Sequence, residues 1–244
     1  MSQSKIALVT GGSKGIGASI VNKLAAEGYA VGVNYSSSAD VAESLVADIK
    51  ASGGNAIAVQ GNVGNSTEVA HMFNVVEEKL GAISLLVNNA GIMKLAQLSQ
   101  SDEELFDSQV AVNFKGTFNT LRLAAERVTN GGRIINLSTS IVGLKLESYG
   151  VYAATKSAVE TMSAILAKEL RGRCITVNTV APGPTATNLF LDGKSPQLID
   201  RLANMNPLER LGTPQDIANV VMFLASPEGG WINGQVIRAN GGMI

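Results

Sequence analysis

Cysteine and histidine are almost missing from this sequence, which contains Cys174 and His71 and no other residue of either kind. A single cysteine cannot form an internal disulfide bond, and the two residues are too few for a Cys/His zinc site. We therefore expect no metal centre. We also expect no Ser-His-Asp triad, so acid–base chemistry has to come from other side chains.

An excess of charge and long apolar runs are missing too. Nineteen basic and twenty acidic residues give a net charge of −1 without a run of like charge, so we expect neither a nucleic acid nor a membrane as a partner. The N-terminus lacks a signal-peptide pattern, and no apolar run approaches the roughly 18 residues of a membrane helix. The composition predicts a cytoplasmic protein with residues 1–244 forming a single domain.

What the chain does contain, near its start, is an apolar segment followed by a glycine-rich turn. Ile6–Thr10 predicts a buried strand, and a helical pattern follows the turn and stops at Gly28. Gly11 permits the tight turn, Gly15 lets the backbone approach a ligand, and Gly17 lets helix and strand pack closely. Because free N–H groups at a helix start bind pyrophosphate, the segment predicts a dinucleotide site.

Strand and helix patterns alternate along the rest of the chain. Further strands are predicted at 30–34, 56–60, 85–87, 133–140 and 175–181 and near the end of the chain. Ser101–Glu104 predicts a capping box that opens a long helix, with Asn113 in its middle. The alternation predicts an α/β fold: a Rossmann-type, doubly wound parallel sheet of about seven strands, with helices on both faces and the cofactor at the carboxyl edge.

Tyr152 and Lys156 form a candidate acid–base pair. Positions four apart lie on the same face of a helix, so both side chains can reach a common point. A phenol titrates near pH 10, and a nearby cation lowers that pKa. We therefore expect Lys156 to activate Tyr152. The alternative is that they are two surface residues of an amphipathic helix.

Four motifs together resemble the short-chain dehydrogenase/reductase family over almost the whole chain. They are Gly-x-x-x-Gly-x-Gly at 11–17, Asn-Asn-Ala-Gly at 88–91, Tyr-x-x-x-Lys at 152–156 and Pro-Gly-x-x-x-Thr at 182–187. The resemblance implies an oxidoreductase that transfers a hydride between NADP(H) and a carbonyl or alcohol substrate, as a ketone or aldehyde reductase does. It also implies that Asn113, Tyr152 and Lys156 are catalytic, together with a hydroxyl that binds the substrate carbonyl.

That hydroxyl comes from the run Ser138, Thr139 and Ser140. The spacing from Tyr152 selects Thr139, whereas the Ser-x-x-Gly pattern that often follows the family's serine selects Ser140. We favour Ser140 because serine is the residue that the family uses, and Ser138 and Thr139 stay open.

The residues after the second strand distinguish the two nicotinamide cofactors. An acidic residue there would repel a 2′-phosphate, but this chain has Asn34-Tyr-Ser-Ser-Ser38. Amides and hydroxyls donate to a phosphate and Lys14 adds a positive charge, so NADP(H) is expected over NAD(H). The alternative is that Lys14 is only solvated and that the serines cap the next helix, which would leave NAD(H) possible.

By resemblance, the cofactor contacts lie in five segments that follow strands and at Tyr152 and Lys156 on a helix. Asn62 departs from this pattern, because the family usually has an aspartate there. The expected contacts are Gly11, Ser13, Lys14, Gly15, Ile16, Gly17, Asn34, Tyr35, Ser36, Asn62, Val63, Asn89, Ala90, Gly91, Tyr152, Lys156, Pro182, Gly183, Thr185 and Thr187.

The substrate side is expected to be apolar. A segment at about 188–207 predicts a mobile lid over a small-molecule carbonyl substrate, although a satellite helix packed on the core would have the same composition. The expected lining is Met93, Ile141, Val142, Leu144, Leu146, Tyr149 and residues 189–191. Since the family packs the helix of Tyr152 in a dimer interface, the resemblance implies a homo-oligomer, either a dimer or a tetramer.

Two other functions stay open. One is reduction of a carrier-bound 3-oxoacyl chain, because Arg173 lies near where 3-oxoacyl-[acyl-carrier-protein] reductases present basic residues to an acidic carrier. The other is a non-catalytic sensor that binds NADP(H). The presence of Asn113, Tyr152 and Lys156 argues against a sensor.

Overall fold

A computed structural model describes residues 5–244, which contain one parallel sheet of seven strands. The spatial order is β3-β2-β1-β4-β5-β6-β7, and each neighbouring pair is parallel. The strands are β1 (Ile6–Thr10), β2 (Ala30–Tyr35), β3 (Asn55–Gln60), β4 (Leu85–Asn88), β5 (Arg133–Leu137), β6 (Thr176–Pro182) and β7 (Val236–Ala239). The predicted doubly wound α/β fold is confirmed.

Helices connect the strands. They are α1 (Gly15–Ala26), α2 (Ala39–Ala51), α3 (Ser66–Lys79), α4 (Glu103–Gln109), α5 (Gly116–Arg127), α6 (Ile141–Leu144), α7 (Gly150–Glu169), α8 (Asn188–Leu191), α9 (Pro196–Ala203) and α10 (Pro214–Ala225). Within residues 5–244, no helix is both long and apolar enough to cross a membrane.

The strands are apolar on both faces, and helices cover each face. Val9 packs in one apolar cluster with side chains of α1, α2 and α10, whereas its neighbour Leu8 packs in a second cluster with side chains of α3, α5 and α7. Successive strand residues point to opposite faces, so a parallel sheet covered on both sides needs such continuous apolar runs. The strand order reverses between β1 and β4, which opens a crevice at their carboxyl ends.

The predicted long helix after Ser101 differs from the structure in two ways. Asp102, not Ser101, caps it, because the Asp102 carboxylate accepts a hydrogen bond from the Leu105 N–H at 2.8 Å. The helix is also interrupted between α4 and α5 by a π-helical turn at Val110–Lys115, which contains Asn113. Such turns occur frequently at functional sites.

Asn34 lies buried at the carboxyl end of β2, and its side chain is fully engaged. Its Oδ1 accepts from the Gly11 N–H at 3.1 Å, and its Nδ2 donates to the carbonyls of Val59 at 3.3 Å and Gly61 at 2.9 Å. The side chain is therefore not free to reach a cofactor phosphate, contrary to the sequence-based expectation. It joins the glycine turn to β2 and to the end of β3.

Replacing Asn34 should destabilise the fold. Asn34→Ala leaves the Gly11 N–H and the Gly61 carbonyl without this partner, so the free energy of unfolding should fall by about 3 kcal/mol. Urea unfolding measures the loss. Asn55→Ala, at an exposed residue that begins β3, is the matched control and should change stability by less than about 0.5 kcal/mol. If both substitutions lowered the free energy of unfolding by the same small amount, the structural role assigned to the Asn34 side chain would be contradicted.

Candidate active site

A cleft of about 840 Å³ opens at the carboxyl ends of β1, β4, β5 and β6. Its walls come from the loops that follow these strands, from α7 and from the segment that contains α8. The lining residues are Gly11, Ser13 to Ile16, Ala18, Asn89 to Gly91, Met93, Leu137 to Ile141, Tyr149, Tyr152, Lys156, Pro182 to Phe190, Asp192 and Met243. Most of the predicted site residues are thus brought together here.

The glycine turn forms the part of the cleft beside β1. Gly11 and Gly15 adopt φ angles of +58° and +54°, a conformation that glycine reaches without strain. A side chain on Gly11 would place its Cβ 2.9 Å from Ala90 Cα, and one on Gly17 would collide with the Gly11 carbonyl. The turn therefore depends on glycine at these positions.

The donor groups of this turn fit a dinucleotide phosphate. Helix α1 begins directly after the turn, and none of the described side chains caps its first N–H groups. Uncapped N–H groups at a helix start favour an anion. Thr187 lies close to Gly15 from the opposite wall, since a Cβ on Gly15 would be 3.3 Å from the Thr187 methyl group. Thr187 therefore lies against the glycine turn at this end of the cleft.

The loop after β4 is tied to the glycine turn. The Asn89 Nδ2 donates to the carbonyls of Thr10 at 3.0 Å and Gly11 at 2.8 Å, and the Thr10 hydroxyl accepts from the N–H groups of Asn89 and Ala90. A Cβ on Gly91 would lie 3.3 Å from Asn113 Oδ1 and 3.4 Å from Lys156 Nζ. Glycine here lets both polar side chains approach the backbone.

Lys156 is 4 % exposed, and its ammonium donates to the Leu137 carbonyl at 2.9 Å. Burial lowers the pKa of Lys156 to about 8, because the charged form loses its hydration. The Lys156 ammonium therefore releases its proton more readily than the ammonium of an exposed lysine does.

Tyr152 hydrogen-bonds the Thr139 hydroxyl. Burial raises the pKa of Tyr152 to about 12, the Thr139 hydrogen bond lowers it and the nearby Tyr149 raises it. The expectation that Lys156 lowers this pKa is therefore wrong for this structure, because desolvation of the phenolate outweighs the other effects. Tyr152 keeps its proton at neutral pH.

The three hydroxyls after β5 point to different partners. Ser138 Oγ donates to Glu160 Oε1 at 2.6 Å, whereas Ser140 Oγ donates to the Ala181 carbonyl and accepts from Asn240 Nδ2, both at 3.0 Å. Ser140, the favoured residue, is 2 % exposed and committed to these two bonds. Thr139 is the hydroxyl that the structure brings to Tyr152.

Four consecutive residues at the end of β5 are bonded to α7. Asn136 Nδ2 donates to Ser163 Oγ at 2.7 Å, and the Leu137 carbonyl accepts from Lys156. Ser138 bonds Glu160, and Thr139 bonds Tyr152. Strand end and helix therefore hold each other in register beside the cleft.

Asn113 is completely buried and joins three segments. Its Oδ1 accepts from the Ile92 N–H at 2.8 Å, and its Nδ2 donates to the Ile92 carbonyl at 2.9 Å and to the Thr155 hydroxyl at 3.3 Å. Its own carbonyl accepts from the Thr117 hydroxyl at 2.8 Å. The π-helical turn thus carries Asn113 into contact with the loop after β4 and with α7.

Six of the predicted cofactor residues do not line the cleft, namely Gly17, Asn34, Tyr35, Ser36, Asn62 and Val63. Val63 is buried in the core. Asn62 Oδ1 accepts from the Gly64 N–H at 2.9 Å in the turn before α3. Near the exposed end of β2, Lys14 Nζ donates to Ser38 Oγ at 2.7 Å, so this lysine is directed toward the serine run.

Fewer apolar residues line the substrate side of the cleft than the sequence predicted. Met93, Ile141, Tyr149, Leu189 and Phe190 line it, whereas Val142, Leu144, Leu146 and Leu191 do not. Sequence reasoning missed Met243, which reaches the cleft from the far end of the chain. A position this distant in sequence gives no local signal.

Arg173 is engaged within the fold. Its guanidinium donates to the carbonyls of Ala125 and Val128 and to Asn130 Oδ1, at 2.9 Å in the last case. These carbonyls lie at the carboxyl end of α5 and just beyond it, where a cation satisfies carbonyls that have no partner in the helix.

Known proteins resemble this chain over nearly its full length. Residues 11–244 match the family model described as Enoyl-(Acyl carrier protein) reductase. A short-chain type dehydrogenase/reductase of Picea abies is 44 % identical, over 98 % of this chain and 92 % of its own length. An NADPH-dependent aldehyde reductase-like protein, chloroplastic, of Arabidopsis thaliana is 42 % identical, over 98 % and 94 %. The 3-oxoacyl-[acyl-carrier-protein] reductase FabG of Staphylococcus aureus is 42 % identical, over 100 % and 99 %.

Solved structures are similar as well. A short-chain dehydrogenase/reductase from Serratia marcescens superimposes with a TM-score of 0.94 at 34 % identity, over 99 % of this chain and 98 % of its own. A short chain dehydrogenase from Burkholderia cenocepacia, solved in complex with NADP, gives a TM-score of 0.93 at 35 % identity, over 99 % and 98 %.

Lys156 should make stability depend on pH. Its pKa is about 8 in the fold and roughly 10.4 in an unfolded chain, so between these values the unfolded chain binds the proton that the folded protein has released. Stability from this group therefore rises with pH. Urea unfolding from pH 7 to 10 should show a gain of about 2 kcal/mol that Lys156→Met lacks.

A matched substitution on the same helix provides the control. Lys168 is exposed in the last turn of α7, so Lys168→Met should keep the wild-type pH dependence. If Lys156→Met retained the wild-type slope, the assignment to the buried ammonium would be wrong.

Proposed function

Because the chain belongs to the short-chain dehydrogenase/reductase family, we propose that it is an NADP(H)-dependent oxidoreductase that interconverts a small carbonyl compound and its alcohol. The observation that carries the proposal is the meeting of Thr139, Tyr152 and Lys156 in one cleft with the glycine turn. Ketones and aldehydes are the proposed substrate class.

The cofactor is proposed to be NADP(H). One relative is named an NADPH-dependent aldehyde reductase-like protein, and one similar structure was solved with NADP. Residues 35–38 include no acidic side chain that would repel a 2′-phosphate. Lys14 lies beside Ser38 and supplies a positive charge for that phosphate.

The cofactor would lie along the cleft, held by the glycine turn, the loop after β4, Lys156 and the loop after β6. When bound, the nicotinamide supplies the hydride for reduction and takes it back in oxidation. The proposed contacts are Gly11, Ser13, Lys14, Gly15, Ile16 and Gly17, then Asn89, Ala90 and Gly91, and finally Pro182, Gly183, Thr185 and Thr187.

Tyr152 is the proposed general acid. With a pKa of about 12 it is protonated at neutral pH, so it can give its proton to the oxygen of a carbonyl that gains negative charge. The Thr139 hydroxyl lies against Tyr152, and on substrate binding it would turn its single O–H to the same carbonyl oxygen as a second donor. We assign to Thr139, rather than Ser140, the role of the family's serine.

Lys156 and Asn113 complete the proposed machinery. As the family resemblance implies, Lys156 would hold the ribose hydroxyls of the cofactor, and with a pKa of about 8 it can return a proton toward the phenolate that Tyr152 becomes after proton transfer. Asn113 positions the loop that begins at Ile92 and, as the family resemblance implies, helps to restore the proton. Its carbonyl accepts a hydrogen bond from the Thr117 hydroxyl.

Reduction of a carrier-bound 3-oxoacyl chain is the second candidate. It is favoured by the 42 % identity to FabG over the whole chain. Arg173 is the one residue that the sequence suggested for contact with an acidic carrier protein. Its guanidinium is already hydrogen-bonded to α5 and to the residues that follow α5. A free carbonyl compound is therefore the preferred substrate.

We propose further that the protein is a homo-oligomer, either a dimer or a tetramer, and a single domain in the cytoplasm. Phe106, Phe114 and Phe118 are about half exposed along α4, the π-helical turn and α5, and Ile165 is similarly exposed on α7. Such an apolar surface suits a second copy of the chain. One relative is named as chloroplastic. Cell fractionation would show whether this protein is found in the cytoplasm or in such an organelle.

The test of function is NADPH oxidation, with NADH in parallel, against ketones, aldehydes, diketones, quinones and a 3-oxoacyl thioester. We expect faster turnover with NADPH and with small carbonyls. Tyr152→Phe should lower kcat/KM by about 1000-fold and keep NADPH affinity, because only the transferable proton is lost.

Tyr29→Phe is the matched control, since the Tyr29 hydroxyl bonds the Ala225 carbonyl away from the cleft. It should keep full activity. Preference for the thioester would favour 3-oxoacyl reduction, and bound NADPH without turnover of any compound would favour a sensor.

A further inference from the structure

Tyr149 projects into the cleft from a loop with an unusual backbone. Lys145 and Ser148 have φ angles of +56° and +69°, which non-glycine residues seldom adopt. The loop is also bonded to the segment after β4, because the Ser148 carbonyl accepts from the Ala96 N–H at 3.1 Å. Strained backbone of this kind persists where the surrounding structure holds it, frequently at ligand sites. Tyr149 is therefore held in place by the loop that carries it.

The Tyr149 hydroxyl is a hydrogen-bond donor without a partner among residues 5–244. The side chain is half-buried and lines the cleft, so the hydroxyl is not simply part of the outer surface. Tyr29, by contrast, uses its hydroxyl to bond the Ala225 carbonyl. Burial raises the pKa of Tyr149 above its usual value, so the phenol remains a neutral donor.

Tyr149 stands next to the proposed reaction centre. Its ring centroid is 6.4 Å from that of Tyr152, with the ring planes inclined by 60°. The two phenols are close enough for Tyr149 to raise the pKa of Tyr152. Tyr152 and Thr139 are assigned to the reacting oxygen of the substrate. The Tyr149 hydroxyl can therefore donate to a different oxygen of the same substrate molecule.

Most of the substrate side around these phenols is apolar. Met93, Ile141, Phe190 and Met243 line it, and such side chains select poorly between ketones of similar size. A donor beside the reaction centre selects more strongly, because a ligand without an acceptor leaves that donor unpaired. A single hydroxyl at this position can therefore set the substrate preference.

We propose that Tyr149 is a specificity-determining residue that donates a hydrogen bond to a second oxygen on the carbon next to the reacting carbonyl. This inference rests on the proposed function. The preferred substrates would be vicinal dicarbonyl compounds and hydroxyketones. Simple ketones would still meet Tyr152 and Thr139 but would leave the Tyr149 hydroxyl without an acceptor.

The experiment compares the wild-type protein with Tyr149→Phe, which removes the hydroxyl and keeps the ring. NADPH-dependent kcat/KM is measured for 2,3-butanedione, 3-hydroxy-2-butanone and 2-butanone, which share a four-carbon chain. Because the diketone is intrinsically more reactive, the quantity compared between proteins is the ratio of its kcat/KM to that of 2-butanone. This ratio should fall about tenfold in Tyr149→Phe, mainly through KM.

Further measurements make each outcome decisive. Tyr29→Phe should leave the ratio unchanged, and an unaltered Kd for NADPH would show that Tyr149→Phe is folded. An unchanged ratio in Tyr149→Phe, whether kcat/KM stays the same or falls equally for 2,3-butanedione and 2-butanone, would overturn the proposal. A selective loss with 2,4-pentanedione alone would place the second oxygen two carbons away and overturn the vicinal assignment.

The same data separate this inference from the proposed function. If Tyr152→Phe abolishes turnover while Tyr149→Phe keeps the wild-type ratio, the reductase assignment stands and the role of Tyr149 falls. If the wild-type protein reduces none of these compounds with NADPH, both fall.

Discussion

The candidate site depends on the bonding between the carboxyl end of β5 and helix α7. Residues 136 to 139 bond to four α7 residues between Tyr152 and Ser163, so the hydroxyl run and the Tyr-Lys pair cannot shift independently. Glu160 belongs to this set although it has no proposed chemical role, because its carboxylate holds Ser138. Positioning of this kind matters, since a reactive pair displaced by about 1 Å can lose 100-fold in rate.

Burial then decides where the protons lie. The same desolvation that raises the pKa of Tyr152 to about 12 lowers that of Lys156 to about 8, because in each case the charged form is disfavoured. A protonated phenol that shares a cleft with a readily deprotonated ammonium is suited to giving a proton to a developing alkoxide. Gly91 makes this crowding possible, because a side chain there would press on Asn113 and Lys156.

Local patterns predicted the fold and much of the site, because glycine turns and alternating strands and helices are properties of short segments. The strands and the glycine turn followed directly from them. Roles fixed by distant partners were not predictable. Asn34 holds carbonyls 25 and 27 residues away, and Ser140 is engaged by Ala181 and Asn240. Neither Met243 in the cleft nor the π-helical turn at Asn113 had a sequence signal.

The most direct measurement compares Thr139→Val with Ser140→Ala in NADPH-dependent reduction of one ketone. Both substitutions remove a hydroxyl from the same run, but only Thr139 bonds Tyr152. The account predicts that Thr139→Val loses about 100-fold in kcat and keeps its affinity for NADPH, whereas Ser140→Ala stays within about fivefold of the wild type. A large loss of kcat in Ser140→Ala with Thr139→Val nearly unaffected would contradict it.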